Sequence, residues 1–164
     1  MRNALIQALG LFGDKPVIAR ARGLVISGAG SAEEQRTALS VTAGQADAAT
    51  FAMLLDRARK TSDPLERERI YDALGGVQDA GLASQMIKIA LSSEVPAGSN
   101  VDVLFPLAQN HPNLVWKEAI PHFGDPSAAI PKLVQWELVR AIGELSADPG
   151  RIKDVDDYVR TNVP

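Results

Sequence analysis

The chain contains no cysteine. Disulfides, thiolate metal sites and a thiol nucleophile are therefore excluded, although the compartment is left open. Histidine is nearly as scarce. Only His111 and His122 occur, and neither stands in the H-E-x-x-H spacing that puts two imidazoles on one helical face for zinc. Basic runs are missing as well, and with a formal net charge of −3 the surface is unsuited to a phosphate backbone, so no nucleic-acid partner is expected. No apolar stretch approaches the roughly 20 residues of a membrane span, so no membrane partner is expected. No serine lies in a nucleophile elbow, and Asp154, Asp156 and Asp157 lack the glycine and distal glutamate of a calcium loop. Glu118 and His122 are four apart, but Pro121 stands between them, so they read as surface residues rather than a metal pair. No catalytic set stands out.

What the sequence does contain is helix punctuation. The stretch from Asp63 to Leu91 reads as two helices joined by a tight turn: Asp63 as N-cap, Pro64 at the first helical position and Glu66 completing a capping box. Leu65, Ile70, Ala73, Leu74 and Val77 make an apolar stripe, while Glu66, Arg67, Glu68 and Arg69 face water. Gly75 and Gly76 end the helix. Asp79 then caps a second one, striped by Leu82, Met86, Ile87, Ala90 and Leu91, and the short connection makes the pair an antiparallel hairpin.

The same punctuation recurs. Ala8-Leu9-Gly10-Leu11-Phe12-Gly13-Asp14 aligns with Ala73-Leu74-Gly75-Gly76-Val77-Gln78-Asp79, Ala141-Ile142-Gly143-Glu144-Leu145 with Asp148 is a looser copy, and Gly44 and Asp47 fall half-way between the first two. The period is roughly 33 residues, in the range of stacked helical hairpins. Each hairpin is amphipathic and needs neighbours to bury its face. The expected fold is thus all-α, a HEAT- or armadillo-like solenoid of antiparallel hairpins forming a single domain over residues 1–164. Arg2 to Leu11 is already helix-like, with Leu5, Ile6 and Leu9 on one side, and no polar capping element precedes it. Met1 is therefore expected to open a piece of a longer polypeptide.

Along the rest of the chain, Asp14-Lys15-Pro16 starts a helix with Val17, Ile18, Ala21, Leu24 and Val25 inward and Arg20 and Arg22 outward. Gly28-Ala29-Gly30 invites comparison with a dinucleotide-binding loop after a strand from Gly23. Glu33 stands where the third glycine belongs, and Glu34 would set a second negative charge against the phosphate, so Ser31 and Glu34 are read as a capping box instead. Asp47 caps a helix bearing Phe51, Leu54, Leu55 and Ala58, whose end carries a solvated basic trio, Arg57, Arg59 and Lys60. After a polar joint at Ser92 to Ser99, Asn100 caps a helix with Val103, Leu104, Leu107 and Ala108. Leu114 to Ala119 forms a short helix ended or bent by Pro121, and Gly124-Asp125-Pro126 is a further break. A long helix follows with Ile130, Leu133, Val134, Leu138, Val139 and Ile142 inward. Asp148-Pro149 begins the last, with Ile152, Val155, Tyr158 and Val159 inward. Trp116 and Trp136 read as packing residues.

The run from Leu9-Gly10-Leu11-Phe12-Gly13-Asp14, through Asp63-Pro64, Arg67 and Ala73-Leu74-Gly75, to Asn110-His111-Pro112 and Val115-Trp116 resembles the C-terminal helical domain of the M1 family of zinc aminopeptidases, of the puromycin-sensitive and endoplasmic-reticulum type. The resemblance covers nearly the whole chain and its motifs are diffuse rather than catalytic. It implies a HEAT-like domain that packs against the catalytic domain of the same polypeptide and encloses a cavity for peptide substrates. The family's zinc ligands lie in that catalytic domain and match nothing here. It implies that the parent needs zinc, that this chain holds no cofactor and that it does not hydrolyse peptides by itself. The family's longer helix after the tryptophan is interrupted here by Pro121 and Gly124-Asp125-Pro126. No substrate contact is carried over by motif; on physical grounds Trp136 and Arg140, one helical turn apart, would offer a peptide an apolar platform and a carboxylate partner. The alternative function is a free-standing helical-repeat adaptor for a partner protein.

Overall fold

The computed structural model describes residues 2–95, 98–124 and 130–162, and among them it is all-helical. Ten α-helices run in chain order: α1 (Arg2–Leu11), α2 (Lys15–Ser27), α3 (Ala32–Gly44), α4 (Ala48–Lys60), α5 (Pro64–Leu74), α6 (Ala80–Ala90), α7 (Asn100–Asn110), α8 (Pro112–Glu118), α9 (Lys132–Leu145) and α10 (Arg151–Asn162). A short 3-10 helix, Ile120–His122, follows α8 at Pro121. The chain forms two compact units, Met1–Ala83 and Ser84–Pro164, and the division falls inside α6.

The caps explain where these helices start. Asp14, Asp47 and Asp79 each accept a hydrogen bond from the backbone N–H three residues on, at Val17 (3.0 Å), Thr50 (2.8 Å) and Leu82 (2.9 Å). Each satisfies one of the N–H groups that the first turn leaves without a partner. Ser31 and Glu34 form the expected capping box, and Gly28 closes α2 in the left-handed conformation with φ of +67°. Gly23 to Ser27 is helical, so the strand required by a nucleotide loop does not form.

The 33-residue period reappears as stacking. In the first unit α1, α3 and α5 lie side by side, α2 packs on α1 and α3, and α4 on α3 and α5. Gln7 donates to Ser40 (3.2 Å), Gln45 to the Leu11 carbonyl (3.3 Å), and the Gln78 N–H to the Gly44 carbonyl (3.0 Å). These partners are 33 or 34 residues apart and ascend together, so α1 and α3 run parallel, one period displaced. Gly10 makes the close approach possible, because a Cβ there would fall 2.6 Å from a Val41 methyl. The second unit repeats the scheme: α8 packs against both α7 and α9, α10 packs on α9, and Ser84 donates to Glu118 (2.7 Å) and Ser146 to Asn113 (2.7 Å).

Several expectations need correction. Glu66 does not complete a capping box with Asp63, whose carboxylate accepts from Leu65 N–H; Glu66 turns instead to Arg57 and Thr61. Leu65 is 52% exposed, because five residues from Ile70 is about 140° around a helix of 3.6 residues per turn. Tyr71, absent from the expected stripe, is buried. Asn100 is the first residue of α7 rather than its cap, and its side chain reaches back to accept from the Gly98 N–H. Leu133, Ile152 and Val159 face solvent, whereas Arg151 is buried. The basic trio Arg57, Arg59 and Lys60 is exposed as expected, but Arg57 also donates to Glu66 (2.8 Å) and to the Val25 carbonyl (3.0 Å), tying α2, α4 and α5 together. Of the Gly124-Asp125-Pro126 break, Gly124 has φ of +95° and the other two lie outside the described residues.

Candidate functional site

Stacking equivalent helices side by side also stacks equivalent side chains, and in the first unit this produces an open groove of about 660 Å³ over α3 and α5. Gln7 of α1, Arg36 and Ser40 of α3, Arg69 and Asp72 of α5, and the Arg57–Glu66 pair line it. Arg36 and Arg69 are one period apart, both exposed, and neither has an ion-pair partner among the described residues. Arg57 and Glu66 neutralise each other. The Thr61 hydroxyl, which donates to Glu66 at 2.6 Å, and then Arg57 hold the Glu66 carboxyl below its ordinary range, so it is ionised at neutral pH.

The groove therefore offers amide, hydroxyl and guanidinium donors together with carboxylate acceptors. Neither histidine lines it. Among the described residues no group of three or more His, Cys, Asp or Glu is placed to hold a metal ion. Glu118 accepts from Ser84, and His122 lies in the 3-10 helix beyond Pro121.

The sequence-derived pair Trp136 and Arg140 lies on α9, in the other unit, and neither residue lines this groove. Trp136 is half-buried and meets Tyr158 edge-on, with ring centroids 5.6 Å apart, and Tyr158 meets Trp116 the same way at 6.3 Å. Burial pushes the Tyr158 phenol above its ordinary range. Arg140 is exposed and pairs with Glu144 at 2.7 Å. Beside the rings sits Arg151, only 6% exposed, with its guanidinium carbon 4.6 Å from the Trp116 ring centre. It donates to Asp154 (2.8 Å) and Asn113 (3.2 Å). This knot ties α8, α9 and α10.

Sequence reasoning did not single out Arg36 and Arg69 as a pair. The signal was their separation of one repeat, which places both on the same face of neighbouring parallel helices. Comparison with curated proteins gives no match. The family described as ERAP1-like C-terminal domain matches residues 1–162, which spans both units. A match of that extent, on a helical stack of this construction, means that the chain belongs to the ERAP1-like C-terminal domain family.

Proposed function

We propose that this chain is the non-catalytic C-terminal domain of an M1 zinc aminopeptidase, packing against the catalytic domain of the same polypeptide and enclosing part of the peptide-substrate cavity. The observation that carries this reading is the family match over residues 1–162. The groove agrees with it chemically. Arg36 and Arg69 present guanidinium groups that already lack partners, so a peptide's acidic groups meet them without first breaking an ion pair. Trp136 and Arg140 are the second contact surface in this proposal: the indole face receives an apolar side chain, and Arg140 exchanges Glu144 for a peptide carboxylate. Zinc belongs to the catalytic domain of the parent, and this chain's part is to bind and to exclude water.

The test is made on the complete native polypeptide. A species several times heavier than 17.5 kDa with zinc-dependent aminopeptidase activity is expected. Replacing Arg36 and Arg69 together by alanine should raise KM for acidic peptides several-fold, with kcat and the cleavage of a single-residue anilide nearly unchanged. A native product of the chain's own mass, without peptidase activity, overturns the reading and leaves the adaptor. An unchanged KM removes the groove from it.

A further inference from the structure

A second, smaller cavity of about 100 Å³ lies between α1, α2 and α3. Its apolar wall includes Ile6, Val17, Leu24 and Ala38, and two side chains of opposite charge, Arg20 and Glu34, line it as well. The repeat shows why the space exists. One period on, the positions of Ala21, Thr37 and Ala38 carry Leu54, Ile70 and Tyr71, each bulkier and at most 1% exposed. The same comparison puts Met53 in place of Arg20 and Arg67 in place of Glu34, so the two opposite charges go with the small residues and are not a feature of the repeat. Arg20 is exposed and makes no ion pair among the described residues, with Glu34 or with any other acid, although both line one small cavity. Glu34 is turned by its capping box, in which Oε2 accepts from the Ser31 N–H (2.9 Å) and hydroxyl (3.0 Å), and this fixes a negative charge beside the cavity. Opposite charges that line one apolar hollow without pairing are complementary to a zwitterion with an apolar side chain.

We infer that this cavity is a binding site for a free α-amino acid with a branched aliphatic side chain, its carboxylate on Arg20, its ammonium on Glu34 and its side chain against Ala38. The volume sets the size of the side chain. A cavity of roughly 150 Å³ holds a benzene ring, so about 100 Å³ takes a branched chain of about four carbons and excludes an indole. A charged side chain is excluded too, because the wall offers it no partner. An aliphatic acid or an aliphatic amine fills the hollow but meets only one of the two charges. The site stands on its own geometry and does not rest on the aminopeptidase reading.

The probes are L-leucine, isovalerate, which lacks the ammonium, and isoamylamine, which lacks the carboxylate, each titrated into the 164-residue chain and followed by amide chemical shifts. Saturable shifts confined to α1, α2 and α3 around Ala38 are expected with leucine, and each half-ligand should bind at least about tenfold more weakly, as the loss of one charge-assisted pair implies. Arg20→Met, the residue of the next repeat, should weaken leucine by about the same factor and leave isoamylamine unchanged. Thr37→Ile, also taken from the next repeat, should fill the hollow and weaken both, with a melting temperature no lower than the parent's. Leucine that gives no saturable shift up to its solubility, or shifts centred elsewhere, overturns the inference. Leucine that binds no more tightly than the two half-ligands, or equally well to Arg20→Met, overturns it also and leaves an apolar void that any small hydrocarbon enters.

Discussion

Among single residues, glycine shows how local space decides an outcome that composition leaves open. At Gly10 a Cβ would stand 2.6 and 2.7 Å from the two Val41 methyl carbons, so Gly10→Ala overpacks the α1 and α3 contact. A loss of about 1–3 kcal/mol is expected, part of it recovered by adding Val41→Ala. Gly23 is the opposite case, an exposed position inside α2 with nothing within 4 Å of the added atom. Gly23→Ala should stabilise by about 0.5–1 kcal/mol through helix propensity. Urea denaturation of both variants checks the pair, and Gly10→Ala as stable as the parent would mean that α1 and α3 do not pack this closely. Glu66 gives a pH prediction. The Thr61 hydroxyl and Arg57 lower its folded pKa from an ordinary 4.5, so the unfolded chain holds the proton more tightly. The stabilisation is complete above that value and is lost as pH falls through the lower folded one. Stability should therefore drop below pH 4.5, and Thr61→Val or Glu66→Gln should flatten the drop. Urea midpoints at about pH 6 and about pH 3 measure it; the same drop in Glu66→Gln would assign the effect to other carboxylates.

For elements, the sequence was legible wherever one residue acts on its own neighbourhood. Asp14, Asp47 and Asp79 announced three helix starts because an N-cap works within three residues of chain. Phe51, Leu54, Leu55 and Ala58 were placed correctly because four apolar residues at helical spacing fix a face. Legibility failed where the partner is distant. A lone Leu65 or Ile152 near a helix start does not set the phase, and Glu66 chose Arg57 over the local cap that its spacing suggested. Arg151 was invisible for a similar reason. Its burial depends on Asn113 and Trp116 from α8 and on Asp148 and Asp154, a set spread over 42 residues. That knot carries a prediction about α10. Arg151→Lys keeps the charge but loses the planar guanidinium that stacks on Trp116 while donating to Asn113 and Asp154. We expect a loss of about 1–3 kcal/mol, read as faster amide exchange confined to α10. Exchange that rises equally through the first unit would show instead that Arg151 supports more than its own helix.

On the scale of the whole molecule, stability in a stack of this kind is a sum of local terms and nearest-neighbour interfaces rather than one shared core. The first unit lets that be tested within a single compact body. Helix α3 is flanked by α1 and α5 and also packs on α2 and α4, and it buries Ala38, Val41, Thr42 and Ala43. Helix α1 has α3 on one side only and leaves Leu5, Leu9 and Leu11 exposed. The two helices are one repeat apart, with nearly the same register. Their difference in protection should therefore come from the missing neighbour and not from sequence alone. Native-state hydrogen exchange is expected to show amides of α3 opening only with the unit as a whole, and those of α1 opening through a smaller event of lower free energy. Such a gradient would let the end of the stack yield while the α3 and α5 wall of the groove keeps its shape. Equal opening free energies for α1 and α3 would mean that the unit behaves as a single cooperative globule, in which case a substitution at Leu5 should be felt in the groove as strongly as one at Val41.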